Sequence, residues 1–152
     1  MNEIFPYRSD PRLNRVRDYL NGAVAQNLPE LLDQWFIFKK QQLPRNVNVR
    51  QIQKLTDGII SNHYIPFMYN QMRARPPHQL TTEEIAKVNE LLLSLEQDMT
   101  SIRRKLRWPS MGDRYIARRI IEQIGRKDIL KTMAKSKRGT EAVWTEFWVN
   151  RT

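Results

Sequence analysis

The sequence predicts an all-α protein, an irregular multi-helix bundle of about six to eight helices. Three observations lead there. Apolar residues recur at three- and four-residue steps along most of the chain. No strand-rich region, internal repeat or low-complexity tract interrupts that rhythm. Prolines and glycines break it into helix-length pieces. At 152 residues and 40% hydrophobic content, the chain is long enough for one packed unit that buries roughly 70% of its unfolded surface.

Asp10-Pro11 reads as an N-cap followed by Pro in the first helical position. Leu13, Val16, Leu20, Ala23 and Val24 then share one face. After Asn27-Leu28-Pro29 a broader apolar block follows, with Leu31, Leu32, Trp35, Phe36 and Phe38, and Leu43-Pro44 closes it. A third helix is expected from near Asn48, burying Ile52, Leu55, Ile59 and Ile60, with Pro66 breaking or kinking it. The stretch "RARPPHQL", residues 73–80, is a Pro-rich linker. It divides a single unit, 1–152, into an N-terminal helical half, 1–72, and a second half, 81–152.

Thr81 and Glu84 have the spacing of a capping box, and Leu80 and Ile85 that of a hydrophobic staple. Ile85, Val88, Leu92, Leu95, Met99, Ile102 and Leu106 alternate steps of three and four. They predict one long heptad-patterned helix over 81–107, about 40 Å at 1.5 Å per residue, stopped by Trp108-Pro109. Gly112-Asp113 opens the next helix, with Ile116, Ile120, Ile121 and Ile124 inward and Gly125 at its end. A short basic helix is expected in "RKDILKTMAKSKR", packing Ile129, Leu130 and Met133. Thr140 can cap a final segment whose Val143, Trp144, Phe147 and Trp148 share a helical face, with a strand as the alternative that its β-branched and aromatic content allows.

Charge is the functional signal. The net +10 is uneven: residues 1–100 carry 12 Lys+Arg against 11 Asp+Glu, whereas 101–152 carry 14 against 5. A field of one sign over one region attracts polyanions or acidic surfaces. Arg103, Arg104, Lys105 and Arg107 fall in the last turn of the long helix, where cations complement its dipole. That explanation fails for Arg114, Arg118 and Arg119, which lie toward the positive end of the next helix. Lys127, Lys131 and Lys135 recur every four residues and are expected on one exposed face, with Lys137 and Arg138 beyond. These residues are the candidate contacts for nucleic acid or an acidic partner. Trp144, Phe147 and Trp148 are the candidate anchor for a neighbouring protein, since Trp is enriched among residues that dominate interfaces.

The segment "ARRIIEQIGRKDILKTMAKSK" is similar to a helix–turn–helix over about twenty residues, with Gly125 in the turn and Ile120 and Ile124 at buried positions. It departs from that pattern at Ile121, where a small residue is usual, and at Arg126 and Lys131, where apolar residues are.

Other chemistry is missing from the pattern. There are no cysteines, which removes disulfides and thiolate sites. The five glycines stand apart, so no phosphate loop exists. His63 and His78 have no clustered acids, and no metal or other cofactor is expected. The serines show no nucleophile elbow. The longest apolar run is Trp35-Phe36-Ile37-Phe38, far short of a membrane span. The start "MNEIFPYRSDP" lacks the layout of a secretory signal, so a soluble intracellular protein is expected, in cytoplasm or nucleus or virion-associated.

The resulting expectation is a non-enzymatic, basic, helical assembly subunit of a larger particle, virion-associated, as a minor capsid protein is, or ribonucleoprotein-like. Its partners would be neighbouring protein subunits and possible nucleic acid, without a membrane or small-molecule substrate. The alternative is a stand-alone DNA- or RNA-binding protein using the basic 103–138 helices.

Overall fold

The computed structural model describes residues 4–6, 11–105 and 112–135, without the side chains of 11, 12, 99–105 and 112. The described residues are all-helical, with seven α-helices and no strand. They are α1 (Pro11–Ala23), α2 (Glu30–Lys40), α3 (Val49–Thr56), α4 (Ile65–Met72), α5 (Thr82–Lys105), α6 (Gly112–Gln123) and α7 (Lys127–Leu130), with a 3₁₀ turn at Asn62–Tyr64.

Helix α1 begins at Pro11 and buries Leu13, Val16, Leu20 and Ala23, with Val24 just beyond its end. Each of the larger side chains contributes about 1.5–3 kcal/mol by leaving water. Asn21, beside that face, pins the chain ahead of the helix. Asn21 Oδ1 accepts the backbone N–H groups of Ile4 and Phe5 at 3.1 and 3.0 Å, and its Nδ2 donates to the Phe5 carbonyl at 3.0 Å. One side-chain amide thus satisfies the backbone on both sides of fully buried Phe5.

Helix α2 starts after Pro29, with Glu30 and Asp33 in its first turn and Lys39 and Lys40 in its last, the arrangement its dipole favours. Only Phe36 of its apolar block is buried; Leu32 and Trp35 are half-buried, and Leu31 and Phe38 are 93% and 57% exposed. Helix α3 is opened by Asn48 and Gln51, whose side chains each accept the other's backbone N–H at 2.9 and 2.8 Å. It ends at Thr56, before Gly58 at φ +75°. Ile60 is therefore buried from outside the helix, and Ile59 is 52% exposed. Pro66 breaks nothing: it stands in the first turn of α4, where its missing N–H has no helical partner to lose.

Residues 73–81 are non-helical. The capping box of α5 forms as expected: Thr81 N–H donates to Glu84 Oε1 at 2.9 Å, and Glu84 N–H to Thr81 Oγ1 at 3.1 Å. Val88, Leu92 and Leu95 are buried and Ile85 half-buried; the rest of the heptad seam, Met99, Ile102 and Leu106, lies outside the described side chains.

The core forms two apolar clusters, and they do not divide at the linker. One joins Phe5 and α1 to α5, α6 and α7; the other joins Leu28, Phe36, Val47, Ile52 and Ile60 to α4. Adjacent residues Met133 and Ala134 belong one to each. Helix α1 also touches both sides, packing extensively on α6 and on the 3₁₀ turn. At that second contact Gly22 lies directly against the backbone of His63, and a Cβ there would collide with its carbonyl group.

Ion pairs tie α1 to its neighbours. Arg17 is 2% exposed and donates through Nη2 to Glu96 of α5 at 2.7 Å. Arg15 Nε meets buried Asp113, in the first turn of α6, at 3.0 Å.

Candidate anion-binding surface

The described part of the basic run separates into inward arginines and outward lysines. Arg114 Nε donates to the Tyr19 hydroxyl at 3.1 Å, joining α6 to α1. Arg118 Nη1 donates to the Met133 carbonyl at 2.9 Å and the Leu130 carbonyl at 3.3 Å. Arg119 Nε donates to the Tyr115 hydroxyl at 2.6 Å and its Nη1 to Glu122 at 2.8 Å, which holds its guanidinium pKa above the usual value despite partial burial. Each of the three is half-buried. Helix-dipole reasoning gave no cause for cations here; acceptors from other elements supply one for Arg114 and Arg118, and side chains of α6 itself supply one for Arg119.

Arg126 is the most heavily committed cation among the described residues of this run. Its Nε and Nη2 grip Asp128 through both oxygens at 3.0 Å, and Nη1 donates to Glu84 at 2.9 Å and to the Gln79 carbonyl at 2.7 Å. The fork therefore clamps the capping box of α5 onto the turn between α6 and α7. Its hydrogen bonds draw the Asp128 pKa down to about 2. At Glu84 burial works against ionisation, but the Thr81 N–H and Arg126 overcome it, and the net shift is downward. Gly125, at φ +81°, provides the reversal that brings Arg126 back toward Glu84.

Lys127, Lys131 and Lys135 are all exposed, and Asp128, the acid among them, is held by Arg126. Lys127 and Lys131 are one turn apart, joined by the Lys131 N–H to Lys127 carbonyl bond of 3.2 Å. Lys135 is not on that helix. Helix α7 stops at Leu130, where Thr132 Oγ1 donates to the Ile129 carbonyl at 2.6 Å and Arg118 Nη1 donates to the Leu130 and Met133 carbonyls. Continuous four-residue spacing thus describes only the first pair. A four-residue α7 is also too short to lie along a groove as a recognition helix, and Ile121 is fully buried.

The side chains of Arg103 and Arg104, and all of Arg107, Lys137, Arg138, Trp144, Phe147 and Trp148, lie outside the described residues.

A second concentration of positive charge was not marked by the sequence. Lys40, Arg45, Arg73 and Arg75 line one broad open groove beside the end of α4, and no carboxylate is among its lining residues. They belong to the part of the chain where charge is nearly balanced. The only available signal was the pair Arg73 and Arg75 in the linker.

The best candidate for acid–base chemistry is the Ser61–His63 pair, 2.7 Å between Oγ and Nδ1. Burial lowers the His63 pKa to about 4, so the ring is neutral near pH 7 and weakly basic. The adjoining cavity, lined by Tyr19, His63, Pro66 and Arg114 among others, measures about 10 Å³, about the room one water needs. It holds no substrate of ordinary size. His78 Nδ1 lies 3.4 Å from Asp128, but burial, with Arg126 and Arg75 adding repulsion against the Asp128 attraction, lowers its pKa as well.

Among the described residues no group of three or more His, Cys, Asp or Glu side chains is placed to hold a metal, and no helix is long and apolar enough to cross a membrane. Comparison with known protein families, characterised proteins and solved structures gives no match.

Proposed function

We propose that this chain is a non-enzymatic, basic, helical subunit of a larger particle, virion-associated or ribonucleoprotein-like, that meets an acidic protein surface or nucleic acid through its C-terminal third. The observation that carries the reading is the division of labour among its cations. Arg114, Arg118, Arg119 and Arg126 are used within the fold. Lys127, Lys131 and Lys135 are exposed, next to an acid that Arg126 already occupies. Half-buried arginines thus build the platform, and the strongly hydrated lysine ammonium groups face outward. The exposed Leu31 and Phe38 of α2 support a chain that packs against neighbours.

The test is incorporation. Charge reversal at Lys127, Lys131 and Lys135 together should leave the fold intact by circular dichroism and reduce recovery of the native complex. A triple variant recovered at the wild-type level refutes the assignment. Nuclease treatment then separates the partner classes: loss of the complex on nuclease identifies nucleic acid, and persistence identifies protein. Replacing Trp144 and Trp148 by Ala tests the anchor in the same way, with normal incorporation refuting it.

A stand-alone nucleic-acid binder is the second reading. It requires that the isolated chain bind duplex or single strands with an affinity that falls steeply with salt. The short α7 favours backbone contacts over base reading in that case.

A further inference from the structure

We infer that the groove lined by Lys40, Arg45, Arg73 and Arg75 is a docking site for an acidic, amphipathic peptide segment of a partner protein. It is separate from the Lys127–Lys135 surface, and its failure would leave that assignment untouched.

Four cations reach this groove from three places: the end of α2, the loop that follows it, and the turn after α4. Arg45 and Arg75 are exposed, and Lys40 and Arg73 half-buried. Like charges gathered in one concavity repel one another and raise the local affinity for anions. The backbone holds them there by an ordered device. Helix α4 ends with the Arg75 N–H on the Asn70 carbonyl at 2.9 Å and the Ala74 N–H on the Gln71 carbonyl at 3.2 Å. That is a Schellman closure, with Ala74 in the left-handed region at φ +52°, where glycine is usual. The reversal puts Arg73 and Arg75 on the same groove.

Arg73 is fixed rather than trailing in solvent. Its Nη2 donates to the Val47 carbonyl at 2.7 Å, and the guanidinium carbon lies 3.7 Å over the Tyr69 ring. Its Nη1 is buried and has no acceptor among the described residues. One of the four cations is therefore preorganised.

The remaining lining decides the class of ligand. Ile37, half exposed, and Leu43 and Met72 are aliphatic or thioether side chains, suited to leucine-like partners. No aromatic ring is among the groove's lining residues for bases to stack on, and the Tyr69 ring is covered by Arg73. Aliphatic surface rimmed by cations matches a helix with leucines on one side and glutamates along the flanks. It matches a polynucleotide poorly.

The probe is a fluorescein-labelled synthetic helical peptide with leucines on one face and glutamates on the other, beside a labelled single-stranded oligonucleotide. Anisotropy with the full chain should show peptide binding that weakens with salt. Arg45→Glu with Arg75→Glu should reduce the affinity by about tenfold or more, a size typical of charge reversal at a complementary interface. Ile37→Gln should reduce it by a few fold through lost apolar contact. All three positions are exposed, so the variants should keep the wild-type dichroism spectrum. Peptide titration followed by amide NMR should shift Gln41, Gln71 and Ala74. Unchanged peptide affinity in the double variant overturns the proposal. So do amide shifts confined to Lys127–Lys135, or an oligonucleotide that displaces the peptide from those three amides.

Discussion

Replacing Gly22 by Ala sets two effects of opposite sign against each other. Gly22 is in the last turn of α1, and in an exposed helix this substitution stabilises by about 1 kcal/mol. Here the new Cβ would fall inside the contact radius of the His63 carbonyl and 2.8 Å from His63 Cβ. Carbon atoms pack at about 3.5–4.0 Å, so the 3₁₀ turn must retreat by about an ångström or more. The obstacle is backbone, with no flexible side chain to swing aside. Retreat would separate α1 from the turn, exposing the contact of Tyr19 with His63, whose rings meet edge-on at 6.1 Å. Overpacking of this kind costs about 1–3 kcal/mol. Because the obstacle is backbone, the cost falls at about 2–3 kcal/mol, and after the propensity gain of about 1 kcal/mol a net loss of about 1–2 kcal/mol is expected. Urea denaturation of both proteins, followed by circular dichroism at equal slope, measures it. A Gly22→Ala protein as stable as wild type, or more so, would refute the close packing of α1 on His63.

Removing the carboxylate of Glu96 by Glu96→Ala leaves the charge of Arg17 buried without its partner, and a loss of about 3 kcal/mol is expected; denaturation of Arg17→Met with Glu96→Leu, which removes both charges, should recover most of it. Arg126→Ala breaks the clamp among Asp128, Glu84 and Gln79, and about 2 kcal/mol should be lost, with Arg126→Lys failing to restore it because an ammonium cannot fork; thermal melts of both variants decide. Acid should destabilise the fold in two stages. His63 is neutral when folded down to about pH 4, whereas the unfolded ring takes its proton near 6.5, so stability rises with pH across that window and falls on acidification by up to ~3 kcal/mol. Asp128 acts in the same direction lower down: its depressed pKa keeps a stabilising contribution above about pH 4 that disappears toward pH 2. Denaturation from pH 7 to 3, repeated on His63→Phe, should show the upper stage flattened in the variant, and an unchanged slope would disprove the burial of that ring.

Local chemistry was legible in the chain. The capping box of Thr81 and Glu84, the Pro11 start and the α1 face from Leu13 to Ala23 depend on residues within a few positions of one another, and each forms as the spacing requires. The all-helical class follows from the same short-range rhythm. Boundaries failed where a side chain or glycine intervened. Gly58 ended α3 early, and α7 stopped before the lysine register was complete, where Thr132 and Arg118 donate to its carbonyls.

Charge was legible as a quantity but not as a surface. Composition located the excess in the last third, yet it assigned the same role to Arg118 and to Lys131, one directed at buried carbonyls and the other at solvent. The groove of Lys40, Arg45, Arg73 and Arg75 joins segments about thirty residues apart, each with too few charges to register alone. Sequence fixes which residues carry charge or apolar area and the local helix that displays them. Only the packing of the helices and their connecting turns determined that Arg114 meets Tyr19, Arg118 the Leu130 and Met133 carbonyls and Arg126 Glu84 and Gln79, while Lys127 and Lys131 remain for a partner, because that depends on distances between separate elements.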